Sequence, residues 1–265
     1  MLATERRKNI LGQLQEEKWV EVSGLSRQYD VSEETIRRDL GKFEEEGLVT
    51  RSYGGAALKE DFPTEIPFKE RKKRNMQGKR MIGELLTTVI EDGDHILLDP
   101  STTAVSIVKA LRECGKKDLT IITNSIEVLV LCAEDSDWKV ISTGGTLQGK
   151  KYALVGPQAI ACIESYHVDK AIISCKGFDI ENGPTDSSDM VSQVKRTMLE
   201  NATKRILAVD CSKFDKVAFS RICGINDIDL VVTDEKPSDA WLEYLESKGI
   251  ECQYEQEDKS DSLCE

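Results

Sequence analysis

Short polar segments that could bind an anion follow the apolar runs in the second half of this sequence. They lie at residues 99–103, 123–125, 143–146, 174–177 and 210–214. Hydroxyl groups, glycine N–H groups and helix N-termini are the groups that bind phosphate oxygens in proteins. Each segment by itself also fits an ordinary helix cap, a turn or a solvated lysine. Taken together, they indicate a phosphate-binding site.

Charged side chains in these segments provide additional groups that could bind a ligand. Lys176 and Lys213 add positive charge, and the carboxylates of Asp99 and Asp210 can accept hydrogen bonds from sugar hydroxyls. The candidate ligand-binding residues of the five segments are Asp99, Ser101, Thr102, Thr103, Thr123, Asn124, Ser125, Gly144, Gly145, Lys176, Gly177, Asp210 and Lys213.

An alternation of strands and helices would bring the five segments together. Apolar runs typical of strands lie at residues 95–99, 119–123, 138–143, 170–174, 205–210 and 228–233. Helical stretches lie between most of them, at residues 103–114, 125–134, 158–166, 189–202 and 238–248. This alternation predicts a Rossmann-like, mostly parallel α/β sheet covered on both faces. Ligands of open α/β sheets bind outside the carboxyl ends of the strands, so we expect one pocket there.

A second candidate site is a helix predicted at residues 32–46. Ser32 can cap its N-terminus, and a glycine at position 47 can end it. Ile36, Leu40 and Phe43 recur at i, i+4 and i+7, so they define one buried face of an amphipathic helix.

The exposed faces of this helix carry groups that can contact DNA. Thr35, Arg37 and Arg38 lie in its first half, and three glutamates at positions 44–46 lie at its end. Carboxylates at the C-terminus do not suit a helix that lies along phosphates for its whole length. They do suit a helix that enters the major groove with its N-terminal residues.

The flanking segments complete a winged helix-turn-helix pattern. Residues 4–18 and 21–29 predict two helices, and the alternating residues up to about position 58 predict a β-hairpin wing. The apolar residues of the two helices are Ile10, Leu11, Leu14, Val22, Leu25 and Tyr29. The expected DNA-binding residues are Ser32, Thr35, Arg37, Arg38, Arg51, Tyr53, Gly54 and Gly55. The alternative for such a three-helix unit is binding of another protein.

The charge distribution leaves DNA binding open despite a formal net charge of −12. Residues 1–60 contain ten Lys/Arg and twelve Asp/Glu, whereas residues 61–80 contain seven and three. The acidic excess therefore belongs to the second domain. We expect a DNA-binding domain at residues 1–58, a linker at 59–75, an α/β domain at 76–252 and an acidic, disordered tail at 253–265. The basic run in the linker is either solvated or attracts DNA phosphates.

Composition also argues against a metalloprotein and against a membrane-spanning protein. Eight cysteines without a C-x-x-C pair, together with two histidines, give no metal-ligand spacing, so we expect reduced thiols, no metal and no cofactor. No apolar run approaches the roughly 18 residues of a membrane span. We therefore expect a cytoplasmic protein without a membrane partner.

The sequence resembles the DeoR family of bacterial transcriptional regulators over about residues 1–250. In the first domain the resemblance rests on Thr-Ile-Arg-Arg-Asp-Leu at 35–40 and Arg-Ser-Tyr-Gly-Gly-Ala at 51–56, where Tyr53 replaces the usual histidine. In the second domain Ser101 replaces a usual glycine. The motifs of that domain lie at residues 98–103, 123–125, 144–145, 183–185, 194–196 and 210–214.

The resemblance implies a sensor domain similar in fold to ribose-5-phosphate isomerase and glucosamine-6-phosphate deaminase. It implies double-stranded operator DNA and a phosphorylated sugar effector as partners, and a homodimer or homotetramer. It also adds Thr185 and Lys195 to the candidate effector-binding residues.

Two functions fit these observations. The first is a repressor of a carbohydrate-utilisation operon, controlled by a phosphorylated sugar. The alternative is a sugar-phosphate isomerase, with Asp99 or Asp210 as the base and Lys213 as an electrostatic aid. An isomerase needs no DNA-binding domain, and the sequence offers no convincing acid–base pair, so we favour the repressor.

Overall fold

The computed structural model describes residues 3–17, 19–45, 49–52, 54–58, 66–134 and 137–255. The chain divides into a first unit, Met1–Glu65, and a second unit, Ile66–Glu265. Several predicted features lie outside the described residues. They are the side chain of Leu11, the helix stop at Gly47, the wing residue Tyr53, linker positions 59–65 and tail positions 256–265.

The described part of the first unit combines helices with a three-stranded antiparallel sheet. Its elements are α1 (Ala3–Glu17), β1 (Trp19–Glu21), α2 (Val22–Tyr29), α3 (Glu33–Glu45), β2 (Val49–Ser52) and β3 (Gly55–Leu58). The strand order is β1-β3-β2. The predicted winged helix-turn-helix is confirmed. The sequence did not predict β1, because three residues are too few to show the two-residue period of a strand.

The core of the first unit contains the predicted apolar face of α3. Ile36 and Leu40 are fully buried and Phe43 nearly so, which confirms the i, i+4, i+7 pattern. The same cluster contains Ile10, Leu14, Val20, Val22, Leu25, Val49 and Ala56. Burial of one face of α3 leaves the other faces, with Arg37 and Arg38, exposed.

The second unit is an α/β domain with helices on both faces of one sheet. Its elements are α4 (Phe68–Lys73), α5 (Met76–Val89), β4 (His95–Leu98), α6 (Thr102–Glu113), β5 (Thr120–Thr123), α7 (Ile126–Glu134), β6 (Lys139–Ser142), β7 (Thr146–Gln148), β8 (Ala153–Val155), α8 (Pro157–Glu164), β9 (Val168–Ile173), β10 (Gly177–Asp179), β11 (Gly183–Asp186), α9 (Asp189–Glu200), β12 (Ala202–Ala208), β13 (Ser220–Arg221), β14 (Leu230–Val232), α10 (Asp239–Ser247) and β15 (Glu251–Gln253).

Seven parallel strands form the main sheet in the order β15-β14-β12-β9-β4-β5-β6. Two separate apolar clusters pack against it, one on Leu97 and Ile173 and the other on Ile96 and Ile172. The predicted parallel sheet with two covered faces is therefore confirmed. The edge strand β15 was not predicted: it pairs with β14 through Gln253, the residue at which the predicted tail began.

The strand order reverses between β4 and β9. From β4 the chain runs outward to β5 and β6, and then it returns to β9 and continues to β12, β14 and β15. The backbone N–H of Asp99, just after β4, donates to the carbonyl oxygen of Ile172 in β9 at 3.3 Å. Such a reversal leaves a crevice at the carboxyl ends of the two strands, which is where open α/β sheets bind ligands.

The predicted linker of residues 59–75 overlaps the start of the second unit. Residues 66–75 belong to that unit, because Phe68 is buried in its core and stacks on Tyr152 with 5.1 Å between ring centroids. The pattern of the sequence hid this helix, since Pro67 and a run of basic residues are typical of solvated chain. None of the described helices has both the length and the apolar character needed to cross a bilayer.

Gly55 provides a test of the first unit. A Cβ atom at this position would lie 2.3 Å from the carbonyl oxygen of Val20 and 2.4 Å from the indole ring of Trp19. We expect Gly55→Ala to push β3 away from β1 and to destabilise the first unit by about 1–3 kcal/mol. Urea denaturation followed by far-UV circular dichroism measures the loss.

Gly12→Ala is the matched control. Gly12 lies inside α1, and a Cβ atom there would have no neighbour within 4 Å. This variant should be neutral or slightly stabilising, because alanine favours helix over glycine by up to about 1 kcal/mol. Equal unfolding midpoints for the two variants would contradict the close approach of β1 and β3.

Candidate functional site

Asp99 is the centre of the polar cluster at the reversal between β4 and β9. Its side chain is 1% exposed. One carboxylate oxygen accepts from the N–H of Ser101 at 3.1 Å, and the other accepts from the N–H of Ser174 at 2.9 Å and lies 3.0 Å from Nζ of Lys195. The carboxylate thus joins the loops that follow the two strands.

Lys195 is held by three acceptors. Its Nζ donates to Asp186 at 2.7 Å and to the carbonyl oxygen of Ser174 at 2.6 Å, in addition to its contact with Asp99. Burial alone would lower the pKa of Lys195, but the two carboxylates outweigh it and raise the pKa above its ordinary value. An ammonium group has three donors. Lys195 therefore organises the predicted site and has no donor left for a ligand.

Asp186 is a residue of this cluster that the sequence analysis missed. Burial by itself would raise its pKa, but the charges of Lys195 and Lys176 hold the pKa below the usual range. The available signal was its position directly after Thr185 in a family motif. Thr185 itself was predicted to bind effector, yet its hydroxyl donates to the carbonyl oxygen of Gly177 at 3.0 Å and accepts from the N–H of Ala218 at 2.8 Å.

Most of the predicted hydroxyl groups cap helices or join strands. Ser101 accepts from the N–H of Ala104 at the start of α6, and Ser125 accepts from the N–H of Val128 at the start of α7. Thr123 donates to the carbonyl oxygen of Leu98 at 2.7 Å. Thr102 and Thr103 are buried in the first turn of α6. These contacts give the loops one conformation at the sheet edge.

Asn124 has an unused acceptor in a buried position. Its Nδ2 donates to the carbonyl oxygen of Leu154 at 2.8 Å, which fixes the orientation of the amide. Its Oδ1 is buried and has no hydrogen-bond partner among the residues that the structure describes. A buried carbonyl oxygen without a partner is rare in folded proteins. A ligand hydroxyl or amine could supply the missing donor.

The predicted glycines form turns and close contacts. Gly144 and Gly145 have φ angles of +64° and +107° in the exposed turn between β6 and β7. Within the described residues, no hydrogen bond joins this turn to Asp99 or Lys195. Gly177 is buried, and a Cβ atom there would lie 2.3 Å from the carbonyl oxygen of Lys216. Its role is to let two loops approach each other closely.

Positive charge is concentrated beside the Asp99 cluster. Lys176 follows β9 and is partly buried. Burial, together with the positive charge of Arg71, lowers the pKa of Lys176 to about 7. Burial also lowers the pKa of Lys79 to about 8, against the opposing charge of Asp210. Both ammonium groups therefore lie where their own charge is unfavourable, and an anion would stabilise their protonated forms.

Asp210 and Lys213 lie in the loop after β12. The carboxylate of Asp210 accepts from both the N–H and the hydroxyl of Ser212, and Nζ of Lys213 lies 3.6 Å from its second oxygen. Burial alone would raise the pKa of Asp210, but Lys213 and Ser212 hold the pKa below its usual range. Asp210 is therefore a weak base that fixes the loop and the position of Lys213.

One group of described side chains has metal-ligand spacing. The ligand atoms of Cys211, Asp234 and Glu235 lie within 4.8 Å of one another. Burial and the neighbouring carboxylates raise the pKa of Cys211 to about 11. Metals bind the thiolate form, so the residues fit a metal poorly.

The exposed start of α3 presents the second candidate site. Ser32 caps the helix by accepting from the N–H of Thr35 at 3.2 Å, and the two hydroxyls lie 2.9 Å apart. Asp39 fixes the helix from its other side: its carboxylate is 2.8 Å from Nε of Arg6 in α1, and both side chains are 7% exposed. This buried ion pair orients α3 relative to α1.

The two arginines of α3 differ in their surroundings. Arg37 is bonded to Glu33 at 2.6 Å and lies 4.0 Å from Glu34. Arg38 is exposed and makes no hydrogen bond or ion pair with any residue that the structure describes. The sequence treated the two arginines alike, whereas the structure leaves Arg38 as the better candidate for contact with DNA.

The wing residues that were predicted to contact DNA differ in their exposure and in their neighbours. Arg51 is exposed but lies 3.6 Å from Glu44 of α3. Gly54 is an exposed turn residue with a φ of +101°. Gly55, in contrast, is buried against Trp19 and Val20, so its role is packing of the wing. The expectation that Gly55 contacts DNA therefore does not fit the structure.

Both units match models of one protein family. Residues 6–62 match the DeoR-like helix-turn-helix domain, and residues 74–235 match the DeoR C terminal sensor domain. Ribose 5 phosphate isomerase A from Neisseria gonorrhoeae is similar in structure, with a TM-score of 0.40, 16% identity and coverage of 52% of this chain and 53% of that one.

Two relatives are similar along nearly their whole length. A Bacillus subtilis (strain 168) protein named as the uncharacterized HTH-type transcriptional regulator YulB is 38% identical over 250 residues, which cover 94% of this chain and 96% of that protein. The HTH-type transcriptional repressor GlcR of the same strain is 33% identical over 259 residues, which cover 98% and 99%. These matches confirm the resemblance seen in the sequence: the chain belongs to the DeoR family of transcriptional regulators.

Proposed function

We propose that this regulator represses transcription by binding operator DNA through α3, and that a phosphorylated sugar bound at the carboxyl edge of the main sheet controls this binding. The observation that carries the proposal is the positive charge of Lys176, partly buried beside other cations at the reversal between β4 and β9. The unpartnered Oδ1 of Asn124 supplies an acceptor for a sugar hydroxyl. The similarity to a protein named a repressor supports the sign of regulation.

The distances within the sheet suit a sugar phosphate. Asn124 follows β5 and Lys176 follows β9, with β4 between them. Adjacent strands are about 4.8 Å apart, so the two loops begin about 10 Å apart. A ligand with a phosphate at one end and hydroxyls at the other can span such a distance.

The isomerase alternative has less support. Both oxygens of Asp99 already accept hydrogen bonds, and Lys195 neutralises the charge. Neighbouring groups lower the pKa of Asp210, which makes it a poor general base. Abstraction of a carbon-bound proton near neutral pH favours a carboxylate with a raised pKa, and the pKa of Asp210 is shifted in the opposite direction.

Control of DNA binding requires that the effector bind one state of the protein better than another. Helix-turn-helix proteins usually bind two half-sites as dimers. We therefore propose that the protein acts as a homodimer or homotetramer in which the effector changes how two α3 helices fit the operator.

Arg38 is proposed to make a stronger contact with DNA than Arg37. We expect Arg38→Ala to weaken operator binding by about 1–3 kcal/mol if the side chain contacts a guanine edge. Arg37→Ala should cost less, because Glu33 already neutralises Arg37. Glu33→Gln should strengthen binding, since it removes a carboxylate near the phosphates. Fluorescence anisotropy with an operator selected from random DNA measures all three affinities.

Lys236→Ala is the control for these variants, because Lys236 is an exposed, ion-paired lysine of the second unit. It should leave operator affinity unchanged. An Arg38→Ala protein that binds the operator like the wild type would remove α3 from the proposed DNA-binding surface.

Lys176 is proposed to bind the phosphate group of the effector. We expect Lys176→Met to weaken sugar-phosphate binding by on the order of tenfold or more, since a charge-assisted hydrogen bond is lost. The ligand-free variant should melt at a temperature equal to or higher than that of the wild type, because an unfavourable charge is removed. A thermal-shift screen with pentose and hexose phosphates measures both effects.

Lys109→Met, at an exposed lysine in the second half of α6, is the matched control. It should retain the thermal shift of the wild type. Equal shifts in the wild type and in Lys176→Met would place the phosphate elsewhere.

The lowered pKa of Lys176 predicts how ligand affinity depends on pH. The folded group loses its proton near pH 7 and the unfolded group near its ordinary value of 10.5. Without ligand, stability should therefore rise with pH across this interval. The affinity for a phosphorylated ligand should fall across the same interval, because the ligand favours protonated Lys176. The charged groups around it are Arg71, Asp186, Lys195 and Lys213.

Calorimetric titration at pH 8 in two buffers of different ionisation enthalpy measures proton uptake on binding. We expect uptake by the wild type and a smaller uptake by Lys176→Met. Identical uptake in the two proteins would assign the titrating group to another residue.

A further inference from the structure

A cavity of about 260 Å³ lies on the second unit, apart from the residues of the proposed effector site. Three arginines line it: Arg196 of α9, Arg205 of β12 and Arg221 of β13. Its volume is slightly below the roughly 300–1,000 Å³ of sites for drug-sized ligands, so it suits a smaller molecule. None of the residues that line it was predicted to bind effector.

The cavity lies beside the edge of the sheet opposite the proposed effector site. Helix α9 leads from Asp186, which belongs to the Asp99 cluster, to the start of β12. Glu200, in the last turn of α9, and Asp227, shortly before β14, both line the cavity. These residues precede two parallel strands, and parallel strands begin at one edge of a sheet and end at the other. The cavity is therefore near the amino ends of β12 and β14.

Arg196 is held in place by two backbone carbonyl groups. Its Nε donates to the oxygen of Ile222 at 2.7 Å, and its Nη2 donates to the oxygen of Arg221 at 3.0 Å. These bonds tie α9 to β13 and fix the plane of the guanidinium group. Both acceptors are uncharged, and Arg196 forms no ion pair with any residue that the structure describes. Its orientation is therefore fixed, while its charge has no bonded counter-ion in that part of the chain.

Arg221 presents a second guanidinium group in a similar way. Its Nε donates to the carbonyl oxygen of Cys223 at 3.1 Å, and no carboxylate of the described residues forms an ion pair with it. A Cβ atom built on Gly224 would lie 3.5 Å from Nη2 of Arg221. Gly224 also lines the cavity. Because this residue has no side chain, the space beside the guanidinium group stays open to a ligand.

Arg205 differs from the other two arginines because it already has a counter-ion. Its Nε and Nη2 donate to the two oxygens of Asp229 at 3.0 and 2.6 Å. This two-pronged pairing neutralises the charge of Arg205 and fixes one wall of the cavity. Arg196 and Arg221 are therefore the two lining arginines whose charge a ligand could balance.

The thiol of Cys223 shows that the charges of the three arginines converge. Cys223 lines the cavity and is 6% exposed. Burial and the charge of Asp227 raise the pKa of Cys223 to about 12, while the charges of the three arginines oppose that shift. The thiol therefore keeps its proton at neutral pH although three cations lie near it. An uncharged thiol does not serve as a counter-ion for them.

Two carboxylates also line the cavity, and they limit the kind of ligand. Glu200 and Asp227 are exposed, and neither forms an ion pair with an arginine among the described residues. One oxygen of Asp227 accepts from the N–H of Gly224 at 2.8 Å, which holds this carboxylate in the turn before β14. Repulsion from the two carboxylates disfavours a large polyanion such as a nucleic acid. A small anion needs room only beside the two guanidinium groups.

We propose that this cavity is a second anion-binding site, in which Arg196 and Arg221 together bind a carboxylate or phosphate group of a small metabolite. Guanidinium groups suit both oxyanions, because each presents parallel N–H donors in one plane. Backbone hydrogen bonds orient both groups before a ligand arrives, which lowers the cost of binding. The site does not depend on the proposed effector site, which uses other residues at the opposite edge of the sheet.

The second site shares structural elements with the Asp99 cluster. Arg196 follows Lys195 in α9, and the two side chains point to different sides of the helix. Arg221 of β13 pairs with Thr185 of β11, the residue before Asp186. An anion bound in the cavity is thus held by the helix that carries Lys195 and by the strand that pairs with β11.

The experiment follows the heteronuclear NMR signals of the arginine Nε–H groups in the full chain, because they report on each guanidinium group separately. The probes are inorganic phosphate in one series and succinate in the other, at constant pH and ionic strength. We expect saturable shifts of the Arg196 and Arg221 signals, and the probe with the higher affinity identifies the class of anion. Arg80, an exposed arginine of α5 that pairs with Glu84, is the internal control and should show no saturable shift.

Three variants test the geometry of the cavity. Arg221→Met should weaken probe binding by on the order of tenfold, measured at the Arg196 signal, because one charge-assisted contact is lost. Arg221→Lys should recover part of the affinity, since it restores the charge without the planar fork of arginine. Gly224→Val keeps both arginines and fills the space beside Arg221, so it should abolish binding. The φ of −78° at Gly224 suits valine, and far-UV circular dichroism checks that each variant is folded.

The controls separate this site from the effector site. Arg80→Met and Lys176→Met should leave the saturation curves of the Arg196 and Arg221 signals unchanged. Shifts that rise linearly with both probes, like those of Arg80, would overturn the second site and make both arginines ordinary solvated side chains. Affinity that Arg221→Met and Gly224→Val leave intact contradicts the proposed geometry. Loss of the shifts in Lys176→Met would place the anion at the carboxyl edge of the sheet instead.

Discussion

The buried ion cluster of Asp99, Asp186 and Lys195 lies where the chain crosses from one half of the sheet to the other. Charges removed from water are tolerated only when they are paired and fully hydrogen-bonded. Here one ammonium group bonds to both carboxylates and to the carbonyl oxygen of Ser174. The cluster ties β4, β9, β11 and α9 together, and the loops around the crevice depend on that arrangement.

The polar residues at this edge form two classes. Thr185, Lys195 and Asp210 use their donors and acceptors within the protein, so they shape the crevice. Among the described residues, the ammonium group of Lys176 makes no hydrogen bond or close ion pair, and the Oδ1 atom of Asn124 has no hydrogen-bond partner. A group that is costly to bury without a partner is informative about a ligand, because a ligand can supply the partner. This contrast separates the framework of the site from the groups that are proposed to bind the effector.

The first unit also contains a buried ion pair that fixes the position of a helix. The ion pair between Arg6 and Asp39 is buried, and Asp39 lies on the opposite side of α3 from its exposed residues. Glutamates at the start of α3 neutralise Arg37, whereas Arg38 has no such partner in the described part of the chain. A slightly acidic unit can therefore still present a localised positive charge, and the formal net charge of −12 does not describe the surface that meets DNA.

Sequence periodicity determined the architecture of both units. The spacing of Ile36, Leu40 and Phe43 predicted the buried face of α3, and alternating apolar runs predicted the parallel sheet, since burial of one face or of both faces leaves a regular pattern. Short elements escaped this reasoning: β1 and β15 have three residues each, and α4 is hidden in a basic run. Their stability comes from pairing and packing with distant residues, which periodicity does not record.

The sequence also placed the candidate residues that follow the strands at one edge of the sheet, because loops after parallel strands end on the same side. The sequence could not distinguish residues whose hydrogen bonds hold the loops in place from residues whose polar groups remain available to a ligand. The three hydrogen-bond partners of Lys195, the burial of Gly55 and the missing partner of Asn124 depend on contacts between segments that are far apart in the chain. The sequence by itself determined which elements form and which residue types they carry. Only the tertiary structure decided which charges and hydrogen bonds are satisfied, because that depends on distances that the folded chain alone sets.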